Sequence, residues 1–204
     1  MIDAKIIAFC GRAGHGKSTA AQYLVERYGA TRFAFAGPVK ELARRLYGLT
    51  SWDTDTAEGK TSVVRIAIDE GADTWRPTVR ELLQRVGNEC REVLGAGVWV
   101  GACLTAIRKH AEGNPGALCV IDDLRYPNEA KAVLGVGGTV ITLERPDAPV
   151  IADPNHPSEA GVALCQSSMI LKGFTVDGVR HELDLLMSRL DGGFSAGTRR
   201  YLTD

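Results

Sequence analysis

A nine-residue stretch near the N-terminus, GRAGHGKST from Gly11 to Thr19, has the residue types and spacing of a loop that holds phosphate groups. It meets the pattern G-x-x-x-x-G-K-[ST] at Gly11, Gly16, Lys17 and Ser18. Glycines allow successive backbone N–H groups to turn inward around phosphates, a lysine neutralises the β and γ oxygens, and a serine hydroxyl coordinates Mg²⁺. A chance glycine-rich turn is the alternative, but the apolar run before it and the helical pattern after it favour a phosphate-binding loop, or P-loop.

A partner carboxylate for Mg²⁺ is expected at the end of another strand. The run ALCVIDD supplies two carboxylates, because four apolar residues lead directly into Asp122 and Asp123. Strand alternation favours Asp122 at the strand end, whereas a turn there would bring Asp123 forward. The sequence therefore predicts a metal site formed by Ser18 together with Asp122 or Asp123.

The segment TVRELLQRVGNECREVLGAGVW predicts a helix with three different faces. One face is apolar and a second is charged, with three glutamates and one arginine, as in an ordinary helix that packs on one side and is solvated on the other. Between them lies a stripe formed by Arg80, Gln84, Gly87, Asn88 and Arg91. A glycine inside a helix costs about 1 kcal/mol relative to alanine, so the stripe favours close approach of an anionic, hydrogen-bonding ligand. A polar boundary strip with helix packing at Gly87 is the alternative.

Two further cationic segments follow predicted strands, at the edge where open α/β sheets bind ligands. In the turn DDLRYPNEA, Arg125 comes just after the predicted metal carboxylates, and we favour a functional role over simple surface charge. The helix PVKELARRLYG leaves Lys40, Arg44 and Arg45 outside its apolar face. Such cations are usually only solvated, yet these follow the second predicted strand.

The segments that place these motifs alternate between strand-like apolar runs and stretches of helical period, which is typical of α/β proteins. We predict strands over 5–10, 31–36, 117–122, 139–143 and 168–171, and helices over 17–28, 38–47, 79–94, 98–112, 128–134 and 177–190. The predicted fold class is α/β: a three-layer P-loop NTPase fold with a mostly parallel five-stranded sheet flanked by helices.

Length and composition indicate one globular domain over residues 1–204, with 45% hydrophobic and 24% charged residues. The net charge of −1 gives no overall basic footprint for nucleic acid or for an anionic membrane. Five cysteines without a C-x-x-C pair, and no leader-like or membrane-length apolar run, favour a cytoplasmic protein without an anchor. Residues 49–77 are polar and turn-rich and are expected to form a mobile cover, and residues 192–204 a flexible tail.

Taken together, the motifs resemble the deoxynucleoside monophosphate kinases typical of bacteriophages, a family related to the adenylate kinase group. The resemblance covers nearly the whole chain and runs through GRAGHGKST, FAFAGPVKELA, TVRELLQRVGNECREVLGAGVWV, VIDDLRYPNEAKAV and HPSEAG. The P-loop is common to many NTPases. The combination of R-E-L-L-Q with D-x-R-[FY]-P-N-E is more specific to this family.

This resemblance implies a magnesium-dependent kinase that transfers phosphate from ATP to a deoxynucleoside monophosphate, in a cytoplasm that would be the host's for a phage protein. Its partners would be small nucleotides, with a homodimer left open. The residues expected to hold ATP are Gly11, Arg12, Ala13, Gly14, His15, Gly16, Lys17, Ser18 and Thr19. Those expected to face the acceptor or the transferred phosphoryl group are Lys40, Arg80, Gln84, Asn88, Arg91 and Arg125, and of these Arg91 and Arg125, with Lys17, are the predicted catalytic residues.

The chain departs from the family pattern at two places and matches it at one without an assigned role. Gly37 stands where the family has aspartate, and Lys172-Gly173-Phe174-Thr175 stands where relatives often carry Asn-Asp-Gly-Thr near the donor base. These departures leave open which nucleobase the donor carries and which nucleobase the acceptor carries. His156 and Glu159 match an H-x-S-E-like turn, for which a structural role is the expectation.

Two other functions compete with this interpretation. An acceptor that is itself a phosphate needs alignment and charge neutralisation more than a general base, which suits a chain with many arginines. A kinase for a small metabolite would act on a hydroxyl and would use an aspartate to accept its proton, a part open to Asp122 or Asp123. A nucleotide-gated NTPase module would hydrolyse ATP slowly and change the state of a partner.

Overall fold

The computed structural model of this chain describes residues 2–64, 76–145, 148, 157–173, 175–191 and 200–202. The chain divides into two compact units. Unit 1 comprises Met1–Ala34 and Leu104–Asp204, and unit 2 comprises Phe35–Cys103. The expectation of one domain over residues 1–204 stays a prediction.

Unit 1 is built on a sheet in which every pair of neighbouring strands is parallel. The strand order is β2-β3-β1-β4-β5-β6. The bounds are β1 Ala4–Cys10, β2 Thr31–Phe33, β3 Ala117–Leu124, β4 Thr139–Glu144, β5 Met169–Lys172 and β6 Arg200–Leu202. The five predicted strands and the parallel sheet are confirmed. The sixth is a short edge strand within the segment that was expected to be a flexible tail.

Helices cover this sheet, as predicted for a three-layer α/β fold. They are α1 Lys17–Tyr28, α6 Pro127–Gly135, α7 Pro157–Val162 and α8 Val176–Asp191, with the C-terminal part of α5 Val98–Gly113. Leu24 of α1 and Leu183 of α8 pack with Ile7 and Phe9 of β1 in one buried cluster, while α6 packs on β1 and β4. Burial of β1 from both sides explains why it is a continuous apolar run instead of an alternating one.

Within its described residues, unit 2 has one isolated antiparallel bridge, between Val63 and Thr78, and otherwise consists of helices and one short turn. These are α2 Gly37–Tyr47, α3 Ser51–Asp55, a 3₁₀ turn at Gly59–Thr61, α4 Val79–Leu94 and the first residues of α5. A capping box begins α4, since Thr78 Oγ1 accepts from the Glu81 amide and the Glu81 carboxylate accepts from the Thr78 amide, at 3.2 and 2.8 Å. Val79 and Leu82 of α4 form a small core with Val64.

Several elements differ from the sequence-based expectation. Strand β2 ends at Phe33 instead of residue 36, because Ala36 already has helical dihedral angles at the start of α2. Helices α3 and α7 and the 3₁₀ turn were not predicted, since each is too short to show a period.

Parts of two predicted segments lie outside the described residues. These are residues 65–75 of the expected cover, and residues 192–199 and 203–204 of the expected tail. The mobility of both stays a prediction. Within the described residues, no single helix is long and apolar enough to cross a membrane, while the bent pair α4 and α5 together passes by length and composition alone.

Candidate functional site

The GRAGHGKST segment forms the loop between β1 and α1, as the motif requires. The backbone takes positive φ at Gly11, Gly14 and Gly16, with values of 146°, 80° and 86°. These are angles that residues with a Cβ rarely adopt. Helix α1 begins at Lys17 directly after Gly16. The loop therefore meets the positive end of a helix, which is the structural context that the P-loop pattern predicts.

Gly11 also satisfies a packing requirement at the carboxyl end of β4. A Cβ built on Gly11 would lie 2.7 Å from the carbonyl oxygen of Leu143, a distance that real Cβ atoms do not show. The ring nitrogen Nδ1 of His15 lies 3.0 Å from the same carbonyl oxygen. With a proton on Nδ1, His15 donates to Leu143 and fastens the P-loop to the neighbouring strand. His15 thus has a structural contact beside its predicted place in the donor site.

Lys17 is buried with its ammonium group inside the loop. Its Nζ donates to the carbonyl oxygens of Gly11 and Arg12, at 2.6 and 2.8 Å. The side chain is only 7% exposed, so its charge acts in a largely dehydrated environment. A cation in this position is suited to neutralise phosphate oxygens held by the loop.

Ser18 and Asp122 meet at the carboxyl edge of the sheet. The Ser18 hydroxyl donates to Asp122 Oδ2 over 2.9 Å, and Asp122 is 7% exposed. The guanidinium of Arg32, on the neighbouring strand β2, donates to the same carboxylate oxygen and forms an ion pair with it. Of the two aspartates left open by the sequence, Asp122 is the one that the structure brings to Ser18.

The end of β3 that carries the two aspartates is irregular. Ala8 and Cys10 of β1 are paired with Ile121 and Leu124 of β3, so β3 has one extra residue between these pairs. The bulge lies at Asp122 and Asp123 and locally changes the alternation of the strand. Asp123 is partly buried and has an interaction of its own.

The turn after β3 holds Arg125 through its backbone. The Glu129 carboxylate accepts from the amides of Arg125 and Tyr126, at 2.8 and 3.0 Å, which begins α6. Gly161 of α7 packs on the same turn, because a Cβ there would lie 2.6 Å from the carbonyl oxygen of Arg125. The HPSEAG motif thus contributes close packing at Arg125. His156 and the side chain of Glu159 lie outside the described residues.

In unit 2, the predicted stripe on α4 is partly packed and partly exposed. Arg80, Gln84 and Asn88 are exposed and Arg91 is half-buried. Gly87 is buried, with Val39 of α2 at 3.8 Å from a Cβ built on it, and its carbonyl oxygen accepts from the Trp99 indole over 2.9 Å. Packing at Gly87, the alternative drawn from the sequence, is therefore present. The arginines on either side of it remain candidates for binding.

Sequence reasoning missed several residues that the structure places next to predicted ones. Lys40, a predicted acceptor residue, forms an ion pair with Asp55 of α3 at 2.9 Å. Arg44 pairs with the same carboxylate at 2.7 Å, and Lys60 of the 3₁₀ turn donates to the Asp55 carbonyl oxygen over 3.3 Å. The i, i+4 spacing of Lys40 and Arg44 was a usable signal. Arg32 gave no signal in the sequence.

Comparison with known proteins places this arrangement in a family. A sequence profile described as an AAA domain matches residues 2–127. A protein of Acanthamoeba polyphaga mimivirus, named "Putative deoxynucleotide monophosphate kinase", is 31% identical over 172 residues, which is 79% of this chain and 84% of that protein. The chain belongs to the P-loop, nucleoside monophosphate kinase-like family. It is a P-loop kinase.

Two solved structures are similar to this kinase at a lower level. Dephospho-CoA kinase from Campylobacter jejuni has 15% sequence identity and a TM-score of 0.46, with 93% of this chain and 99% of that chain covered. Shikimate kinase from Aquifex aeolicus has 14% identity and a TM-score of 0.42, with 93% and 99% covered. No statement about activity follows from similarities at this level.

Within unit 1 of the kinase, a pocket opens beside the P-loop. Its lining combines P-loop and α1 residues with the ends of β4 and β5 and the start of α8, including His15, Tyr23, Arg145, Thr175, Val179 and Arg180. Arg180 lies over the Tyr23 ring at 5.5 Å from its centroid, and Tyr23 donates to Asp184 over 2.6 Å. The pocket therefore has an ordered wall with apolar and cationic parts, next to the place where the P-loop would hold phosphates.

Proposed function

We propose that this kinase transfers the γ-phosphoryl group of ATP to the 5′-phosphate of a deoxynucleoside monophosphate. In this reaction the bond from the γ-phosphorus to the bridging oxygen of ADP breaks and a bond to an oxygen of the acceptor phosphate forms, which gives ADP and a deoxynucleoside diphosphate. The name of the mimivirus relative, "Putative deoxynucleotide monophosphate kinase", supports this class of acceptor. A cytoplasmic location and a homodimer stay predictions.

One observation distinguishes this function from transfer to an alcohol. Asp122 contacts the P-loop serine, and its Oδ2 accepts from both Ser18 and Arg32. Only Oδ1 of Asp122 is then left to accept a proton from an alcohol, for which a general base needs a lone pair aimed at the hydroxyl. A phosphate acceptor has an anionic oxygen at neutral pH and does not need that base. The contacts of Asp122 therefore support a phosphate acceptor.

The residues near the P-loop fit Mg²⁺. Mg²⁺ prefers hard oxygen ligands, keeps several waters and is usually bound through one or two carboxylates together with substrate phosphates. Ser18 and Asp122 supply a hydroxyl and a carboxylate oxygen 2.9 Å apart. We assign these two side chains to the metal. When bound, Mg²⁺ would supply positive charge that neutralises the negative charge developing on the phosphates.

Cationic side chains of the protein itself would neutralise the remaining negative charge on the donor, the acceptor and the transferred phosphoryl group. Lys17, buried within the loop, would neutralise the oxygens between the β- and γ-phosphates. Arg80 and Arg91 on α4 would bind the acceptor, since an arginine fork matches phosphate oxygens in a bidentate way. Arg125, whose backbone is held by Glu129, would stabilise the transferred phosphoryl group. These roles are proposals that rest on the position of each residue within its own unit.

The pocket beside the P-loop would receive the nucleoside of the donor. It lies in unit 1 next to Gly16 and Thr19 of the P-loop. His15 and Arg180 give it polar groups, and Val179 gives it an apolar surface. Such a combination of a few polar groups on an apolar wall is usual for nucleotide sites.

The test is ADP formation from ATP with three sets of additions: none, deoxynucleoside monophosphates, and the matching nucleosides without phosphate. The proposal predicts stimulation by at least one monophosphate and none by its nucleoside. Stimulation by nucleosides would favour an alcohol acceptor. A rate that is indifferent to every addition would favour an NTPase module and contradict the proposal.

A further inference from the structure

Unit 2 contains a group of cations that converge on one carboxylate. Lys40 and Arg44 lie one helical turn apart on α2 and bind the two oxygens of Asp55, at 2.9 and 2.7 Å. Lys60 reaches the carbonyl oxygen of Asp55 over 3.3 Å. The Lys40 and Arg44 side chains are 27% and 25% exposed, and that of Asp55 is 47% exposed. The group is therefore ordered by its contacts and accessible from solvent.

Lys60 is held in this group by the backbone around it. A Cβ on the preceding residue, Gly59, would lie 2.3 Å from the carbonyl oxygen of Trp52, so the 3₁₀ turn packs on α3 as only glycine allows. The Gly59 amide donates to Thr56 Oγ1 over 2.9 Å. Arg44 is likewise held, because its Nε donates to the buried Thr54 hydroxyl over 2.8 Å. These cations are fixed in place, unlike ordinary surface lysines and arginines.

Positive charge exceeds negative charge in the group of side chains around Asp55. Burial, and then the positive charges of Lys40 and Arg80, lower the pKa of Lys60 below its usual value, although Asp55 opposes this. Burial tends to raise the pKa of Asp55, but the hydrogen bond and charge of Lys40 and the charges of Arg44 and Lys60 outweigh it and lower that pKa. Glu41 lies 4.0 Å from Arg44 but is bound more closely by Arg45, at 2.7 Å. Among the described residues, the Asp55 carboxylate thus faces three cations, Lys40, Arg44 and Lys60.

We propose that Lys40, Arg44 and Lys60 form the binding site for the phosphate group of the acceptor, and that the Asp55 carboxylate occupies the position of that phosphate until it binds. This inference rests on the proposed function and adds Arg44, Lys60 and Asp55 to it. A phosphate dianion has more negative charge than one carboxylate and three oxygens to accept from these donors. A bound phosphate would displace the Asp55 side chain and relieve the repulsion among the cations. An uncharged nucleoside would do neither.

The experiment measures binding by calorimetry, in the full chain and without ATP. The ligands are inorganic phosphate, the four deoxynucleoside monophosphates and the matching nucleosides. The variants are Lys60→Gln and Asp55→Asn, with Arg45→Gln as a control that removes a neighbouring cation outside the site. Lys17→Ala is included because phosphate binding that this variant loses takes place at the P-loop and not at the site around Asp55.

We expect Lys60→Gln to weaken monophosphate binding about tenfold, the effect of losing one charged contact. Asp55→Asn should stay folded and bind about threefold tighter or more, because the competing charge is gone. Arg45→Gln should stay within about twofold of the parent. Binding by Lys60→Gln within twofold of the parent would overturn the inference. So would an Asp55→Asn variant that binds more weakly than the parent or unfolds, because Asp55 would then be a structural clamp.

The same variants separate this inference from the proposed function. If the parent transfers phosphate to monophosphates and Lys60→Gln does so with an unchanged KM, the acceptor is correct and this site is wrong. If binding follows the expected pattern but no monophosphate stimulates ADP formation, the site is correct and the proposed reaction is wrong.

Discussion

The Ser18 hydroxyl donates to Asp122 Oδ2 over 2.9 Å, and Arg32 donates to the same oxygen. A residue of the P-loop, a residue of β3 and a residue of β2 thus meet at the edge of the sheet where the P-loop lies. Because a guanidinium and a divalent cation would compete for one carboxylate oxygen, we expect Arg32 to weaken the binding of a metal by Asp122.

Arg32→Gln should therefore lower the Mg²⁺ concentration required for half-maximal activity, by about threefold to tenfold, the effect of roughly 1 kcal/mol. The measurement is a magnesium titration of ATP-dependent turnover, together with Mg²⁺–nucleotide binding by calorimetry. Lys131→Gln removes an exposed cation on α6 and is the matched control. A magnesium requirement that rises in Arg32→Gln would show that Arg32 orients Asp122 for the metal instead of competing with it.

Lys17→Ala should lower turnover by at least about a hundredfold, because a buried cation beside the transferred phosphate acts in a site of low dielectric. Its Nζ donates to two carbonyl oxygens of its own loop, and we expect the fold to survive the substitution. Circular dichroism and thermal unfolding check the fold, and an ADP assay checks turnover. Parental rates in a folded variant would remove the P-loop from the mechanism.

Arg80→Ala and Arg91→Ala should each lower monophosphate-dependent transfer by about tenfold to a thousandfold, the scale of roughly 1.4 to 4 kcal/mol of charged hydrogen bonding. Background ATP hydrolysis should change little. Arg85→Ala is the control on the same helix, since Arg85 pairs with Glu89 at 3.5 Å on another face. If Arg80→Ala and Arg91→Ala fold and phosphorylate every monophosphate as the parent does, the stripe on α4 is structural.

Lys60→Gln should also raise the thermal stability slightly, by about 2 °C in Tm. The pKa of Lys60 is lowered in the folded protein by burial and by Lys40 and Arg80, so carrying its charge costs stability at neutral pH. This cost is fully present below the folded-state pKa and disappears as the pH rises towards the pKa of the unfolded chain. Differential scanning calorimetry at neutral and alkaline pH measures the effect. A lower Tm in Lys60→Gln at neutral pH would contradict it.

The sequence predicted the parts of this protein that depend on local pattern. The bounds of α1 and α4 agree with the prediction because a glycine or a capping threonine precedes a long amphipathic period. The P-loop was predicted from the spacing of its glycines, lysine and serine, between an apolar run and a helical pattern. The short elements α3 and α7 and the 3₁₀ turn have too few residues for a period to appear.

Contacts across the fold were beyond the sequence. Strand alternation favoured Asp122, which the structure brings to Ser18, but the bulge at Asp122 and Asp123 is a property of how β3 pairs with β1. Arg32 reaches Asp122 because β2 pairs with β3. The group around Asp55 joins α2, α3 and the 3₁₀ turn, and its members are separated by up to 20 positions in sequence, from Lys40 to Lys60. Apart from the i, i+4 spacing of Lys40 and Arg44, these relationships leave no periodic pattern in the sequence.

The most direct test of the central claim follows the labelled γ-phosphate of ATP in the presence of Mg²⁺ and a panel of ribo- and deoxyribonucleoside monophosphates. Separation of the products by anion exchange identifies the molecule that receives the label. The account predicts label in a deoxynucleoside diphosphate for at least one monophosphate in the panel, with loss of that product in Lys17→Ala. Label that appears only as inorganic phosphate, at the same rate with every monophosphate and with none, would contradict it.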